Sequence, residues 1–121
     1  MFNRLFAIGL LFIGLASPAS AQSIGDDVRC VMLGNAFAKV GGDDRQKGVA
    51  ARAMLFYVGR LDSRANEQAI TAAIRAQRTT MDPKTAGAEM TACAVRMQRA
   101  MQTFEAGVRA VVPPQAPQPR H

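Results

Sequence analysis

The apolar pattern that organises the chain is Gly48 to Leu61, GVAARAMLFYVGRL. Val49, Ala50, Ala53, Met54, Leu55, Phe56, Tyr57, Val58 and Leu61 fall on nearly every side of a helix. A helix with two apolar sides belongs inside a domain, with neighbours on more than one flank. It is therefore predicted to sit centrally. Asp43 or Asp44 caps its start, because a short carboxylate satisfies the free N–H groups of a first turn. Gly48 and Gly59 lower its helix propensity and are expected where a neighbouring helix comes close. Asp62-Ser63-Arg64 reads as a short turn after it.

Three more helices follow from the same patterning. Upstream, Cys30, Leu33, Phe37 and Val40 recur at 3-4-3 spacing and form a buried stripe. Ser23 to Asp26 fits a capping box before that stripe. Asp26 and Asp27 then occupy the first turn, where negative charge suits the helix dipole. Gly41-Gly42 ends the helix. Downstream, a third helix runs from about Ala65 to Thr79, with a narrow apolar face of Ile70, Ala73, Ile74 and Gln77. Asp82 is a good N-cap and Pro83 suits the first helical position. The fourth helix continues to about Val111, with Met90, Cys93, Met97, Ala100, Phe104 and Val111 in a heptad-like stripe. Its outer face carries Lys84, Glu89, Arg96, Arg99, Gln102 and Glu105. Alternating strand patterns are absent. The expected fold class is all-α: a compact four-helix bundle with a central apolar helix.

The two ends lie outside that pattern. Met1 to Arg4 carries one positive charge, Leu5 to Ala16 is an apolar run of 12 residues, and Ala19-Ser20-Ala21 is a small-x-small cleavage site. Those three parts make a secretory signal peptide over residues 1–21, too short to act as an ordinary membrane span. Residues 22–112 are the helical domain. Residues 113–121, PPQAPQPRH, are a proline-rich tail expected to be disordered. No other apolar run is long enough to cross a bilayer, so the mature chain is expected to be exported, periplasmic or secreted, without a transmembrane segment.

Export changes the meaning of the cysteines. Only Cys30 and Cys93 are present, an even count that reads as a disulfide in an oxidising compartment. The bridge would tie the first helix to the fourth. Without the leader's Arg4, 14 basic residues face 9 acidic ones, a net charge of +5. A basic surface outside the cytoplasm meets anionic lipid, cell-wall polymer or acidic protein. Arg75, Arg78, Arg96 and Arg99 are the candidate anion-binding residues. Met54, Phe56, Tyr57, Val58 and Leu61 are the candidate apolar surface, either core or binding site.

Catalytic chemistry finds few materials. The one histidine, His121, ends the proline-rich tail, where an imidazole is not held for acid–base work. The carboxylates Asp26, Asp43, Asp44 and Asp82 stand where caps belong. No enzyme is expected, and no cofactor. Met90, Met97 and Met101 flank Cys93 on one helix, and thioethers are soft ligands for Cu(I). Their core spacing favours packing, which methionine serves well, so no metal site is assigned. Nucleic acid is not an expected partner, since basic residues are not interleaved with aromatics.

An early cysteine, a late cysteine and a central helix ending in Phe56-Tyr57-Val58-Gly59-Arg60-Leu61 loosely resemble the HdeA/HdeB group of small periplasmic acid-stress chaperones. The resemblance implies an all-helical fold, one disulfide, a dimer at neutral pH and release of apolar surface in acid to hold unfolding clients. Cys30 and Cys93 are the matched positions, with Tyr57-Val58-Gly59 beside them. The chain departs from the group in being more basic and in the longer segment between its cysteines. The expected function is non-catalytic: a chaperone-like or stress-related binding protein of unknown client, with self-association possible. The alternative is a basic envelope-surface module on anionic lipid or cell-wall polymer, which salt would weaken.

Overall fold

Each helix begins at a short polar side chain that accepts a backbone N–H. The computed structural model describes residues 22–115 and contains α1 (Ile24–Val40), α2 (Asp44–Asp62), α3 (Glu67–Arg78) and α4 (Pro83–Val111). Before α1, Ser23 Oγ accepts from Asp26 N–H at 3.0 Å, and Ser23 N–H donates back to the Asp26 carboxylate at 3.2 Å. Asp43 and Gln46 repeat this reciprocal box before α2. Asn66 caps α3, and Asp82 caps α4 with Pro83 in the first turn. Gly42, at φ 58°, supplies the left-handed turn between α1 and α2 that a side chain would resist. The signal peptide expected over residues 1–21 lies outside the described residues, as do residues 116–121 of the tail.

The helices close around one core. Cys30 and Leu33 from α1, Ala50, Ala53 and Tyr57 from α2, and Met90, Cys93, Ala94 and Met97 from α4 pack together. Tyr57 is the largest fully buried side chain. Its hydroxyl donates to the Cys93 carbonyl at 2.8 Å, and its ring meets Phe56 edge-on at 5.0 Å. A buried phenol of this kind delivers apolar area and still satisfies its polar end. The Cys30–Cys93 disulfide joins α1 to α4 inside this core, with Cα atoms 5.7 Å apart.

Position in the bundle differs from the apolar pattern in three places. Helix α2 packs on both α1 and α4 and buries the stripe Ala50, Ala53, Tyr57 and Leu61. Its other side faces water: Leu55 is 65% exposed and Val58 45%. The helix that meets all three others is α1, because α3 packs onto α1. Val40 ends α1 beside the turn and is exposed. Finally, the fourth-helix stripe is buried only as far as Met97. Every described residue from Gln98 onward is exposed, Ala100, Phe104 and Val111 included. Those 14 residues of α4 extend about 21 Å past the core at 1.5 Å per residue.

The close helix approach is at Gly34. A Cβ there would stand 2.8 Å from Met54 Cβ and 2.9 Å from the Ala50 carbonyl oxygen. Gly59 has nothing within 4 Å, and Gly48 meets only the Arg52 side chain, at 3.7 Å. Neither of these glycines therefore marks a crossing. Gly34→Ala should force α1 away from α2 and lower stability by about 1–3 kcal/mol. Gly59→Ala should raise it by up to about 1 kcal/mol, since alanine is the better helix former at an open position. Urea midpoints of the two variants, moving in opposite directions, check this.

Candidate functional site

The exposed half of α4 carries an unpartnered apolar stripe. Met90, Ala94, Met97, Met101, Phe104, Val108 and Val111 alternate at spacings of four and three. The first three are buried in the domain. The last four continue the same line into solvent, with Met101 52% and Phe104 69% exposed. A helix keeps such a line only where something can pack on it. The stripe also runs beside an open groove of about 720 Å³. Phe37 of α1, Val49 and Ala50 of α2, and Met90, Ala94 and Val95 of α4 give it apolar walls, and Gln46 and Gln98 lie along it. Met90 and Ala94 line the groove, which ends at Gln98, and the exposed residues Met101 to Val111 lie beyond it.

The sequence-predicted apolar surface is divided. Tyr57 and Leu61 are buried, Met54 and Phe56 are half-buried, and Val58 is exposed. Phe56 also lies under a guanidinium, with Arg60 Cζ 5.9 Å from the ring centroid. The larger apolar exposure is on α4. Among the predicted anion-binding residues, Arg75 and Arg78 are exposed near the end of α3, and Arg96 and Arg99 are exposed on α4. None of the four joins an ion pair among the described residues. Arg96 is occupied otherwise: its Nη2 donates to Cys30 Sγ at 3.2 Å and to Cys93 Sγ at 3.6 Å, lying across the disulfide.

A buried ionic cluster sits where the sequence reading placed only a helix-dipole residue. Asp27 is fully buried, and its Oδ2 accepts from Arg60 Nε at 3.1 Å and from Arg64 Nη2. Arg64 also donates to the Gln22 carbonyl. Asp27 Oδ1 has no hydrogen-bond partner. The signal was available: Asp27 stands three residues before Cys30, on the buried stripe, and Arg60 in the last turn of α2 stands four residues before Arg64, just past the helix end. Nothing in the sequence showed that those two ends meet.

Arg29 is a second organiser. Its Nε and Nη2 donate to the two carboxylate oxygens of Glu89 at 2.7 and 3.0 Å. Its Nη1 reaches Gln77 and Thr80 at 3.0 and 2.8 Å. One side chain of α1 thus ties down the end of α3, the following turn and α4. The Arg29 fork, helped by the Thr85 hydroxyl, holds the Glu89 carboxyl below the usual carboxylate range. A depressed folded pKa contributes stability above the ordinary glutamate value of about 4.3, and that stability is lost as pH falls through the folded value. Glu89→Gln should therefore lower stability at pH 7 by about 1 kcal/mol, a discount appropriate to a partly exposed pair. At pH 2 the variant and the parent should unfold together. Urea denaturation at both pH values reads the difference.

Met90 and Met97 are core residues, and Met101 is half open to solvent. Among the described residues, no group of three or more His, Cys, Asp or Glu side chains is placed to hold a metal ion. None of the described helices is long and apolar enough to cross a membrane. Comparison with protein-family models, curated proteins and solved structures finds no match to this chain. The likeness to HdeA/HdeB-type chaperones therefore rests on layout alone.

Proposed function

We propose that this protein is an exported, non-catalytic binding protein that holds apolar segments of other proteins in a chaperone-like manner. The observation that carries the reading is the apolar stripe Met101, Phe104, Val108 and Val111, exposed on the far half of α4. Contiguous apolar exposure on a small domain marks an interaction site. Two features support a role under acid stress. The disulfide keeps the ends of the core together when packing loosens, and the Arg29–Glu89 tie weakens only when pH falls below the ordinary glutamate range. With carboxylates neutralised, the excess of arginine repels itself and opens the bundle further.

The test is light scattering of an aggregating model client, with and without the mature chain, at pH 2 to 3 and at pH 7. Suppression that is lost on replacing Phe104 and Val108 by aspartate supports holding on α4. No suppression at either pH ends the chaperone reading. A second reading, an envelope-surface module, is favoured by the exposed Arg75, Arg78 and Arg99. Its signature is co-sedimentation with anionic vesicles that falls steeply between low and physiological salt. Client holding by apolar surface should not fall with salt.

A further inference from the structure

We propose that the Cys30–Cys93 bridge is an exchange site for an external dithiol, attacked at Cys93 with Cys30 leaving as a thiolate beneath Arg96. This goes beyond client holding and does not depend on it.

Both sulfurs lie under hydrogen-bond donors. Arg96 Nη2 donates to Cys30 Sγ at 3.2 Å and to Cys93 Sγ at 3.6 Å. Gln22 Nε2 donates to Cys30 Sγ at 3.6 Å. Sulfur in a closed bridge is neutral and a weak acceptor. The same donors bind far more strongly once a sulfur carries negative charge. They are thus matched to the thiolate that an opened bridge releases. The rest of the surroundings works the other way. Cys30 belongs to the core cluster of Leu33 and Tyr57, and an apolar setting disfavours a thiolate.

The charges around the bridge leave Arg96 free for this work. A cleft of about 120 Å³ is bordered by both cysteines and by Asp26, Arg29, Glu89 and Arg96. Arg29 and Glu89 pair with each other at 2.7 Å. Asp26 accepts the Ser23 N–H in the cap of α1. Arg96 has no carboxylate partner among the described residues. The bridge itself is buried, with Cys30 0% and Cys93 2% exposed, yet Arg96 is exposed and Gln22 is half-buried. Swinging the Arg96 side chain outward opens the cleft side of the bridge without moving a helix.

The two sulfurs are not equivalent. Cys30 Sγ has the shorter Arg96 contact and the Gln22 amide as well. Cys93 Sγ has the longer contact alone. The better-stabilised thiolate leaves faster, so Cys30 leaves and Cys93 is attacked. One thiol of the dithiol first loses its proton to solvent. Its thiolate bonds to Cys93 Sγ, the bond between the two Sγ atoms breaks, and the electron pair stays on Cys30 Sγ. The second sulfur of the dithiol then attacks the first within the mixed disulfide. Its proton passes to the departing Cys93 sulfur, and the dithiol closes in its oxidised form. Two electrons have moved to the bridge, which ends as one thiolate and one thiol.

Reduction of the oxidised chain by excess dithiothreitol at pH 8 tests this, with freed thiols trapped by iodoacetamide and counted by mass. Each rate is divided by that of the same chain unfolded in urea, which removes effects of local sequence. Arg96→Met keeps a covering stem and removes the charge. It should slow reduction of the folded chain about three- to tenfold. Arg96→Lys should recover most of the parent rate. A folded Arg96→Met chain reduced as fast as the parent, or faster, overturns the proposal, because the bridge then opens by exposure or unfolding alone. The parent chain with glutathione, a monothiol, tells the sulfurs apart and needs no variant. Peptide mapping after a short reaction should find glutathione on Cys93 and the alkyl group on Cys30, and the reverse pattern overturns the assignment. Neither measurement involves a client, so failure here leaves client holding standing, and the reverse is equally true.

Discussion

Loss of the Cys30–Cys93 bridge is expected to remove about 4 kcal/mol of stability on the chain-entropy model. The bridge spans 63 residues, from early in α1 to the middle of α4, and encloses α2 and α3. A crosslink over so long a loop restricts the unfolded chain strongly. The folded domain has little to spare. Among the described residues its buried apolar core is eleven residues on three helices, two of them the cysteines themselves, and domains of this size bury a modest share of their surface. Stabilities of small domains run from about 5 kcal/mol upward, so the reduced protein should be close to unfolding at 37 °C. Urea denaturation of the oxidised chain, the thiol-reduced chain and a Cys30→Ala/Cys93→Ala double variant gives the answer. A double variant within about 1 kcal/mol of the parent would show that packing alone holds α1 to α4.

The second large effect concerns Asp27. Replacing Arg60 and Arg64 together by methionine should cost about 3–5 kcal/mol, because it leaves a buried carboxylate without any countercharge. Both arginines bond the same Oδ2, and the other oxygen already lacks a partner, so no spare donor can take over. The methionines keep most of the arginine stems' packing, which isolates the charge from the volume. Adding Asp27→Leu to the double variant should restore most of the loss, since an apolar group of similar volume needs no partner. A cycle of denaturation free energies over these variants measures the coupling directly. An Arg60→Met/Arg64→Met protein as stable as the parent would mean that Asp27 is solvated through an opening of α1 from α2.

The two effects differ in how visible they were in the sequence. Helix ends were legible because caps are local: Ser23, Asp43 and Asp82 each need only the next two or three residues to act. The disulfide was legible from the even cysteine count together with the export expected from residues 1–21. Depth was harder. The apolar residues of Gly48 to Leu61 are helical as patterned, and Tyr57 and Leu61 are core, but periodicity does not say which neighbours are present. Helix α3 rests on α1, so Leu55 and Val58 stay wet. The same limit applies on α4, where one uninterrupted stripe is core up to Met97 and open afterwards. Ion pairs were the least legible. Arg29 and Glu89 are 60 residues apart, and Asp27 and Arg64 are 37 apart. Only the folded arrangement of the helices brings them together. For the functional surface, the sequence pointed to α2, and the structure puts the greater apolar exposure on α4.

Helix α3 buries none of its residues, and its far end is fastened by Arg29 to Gln77 and Thr80. A segment attached in that way opens without disturbing the tyrosine or the sulfur bridge at the centre. Its amides should exchange with deuterium well ahead of those around Leu33, Tyr57 and Cys93. A protease that cuts between Glu67 and Arg78 would then nick the chain into two pieces that stay joined through sulfur. On a non-reducing gel the nicked molecule would run as one band, and on a reducing gel as two.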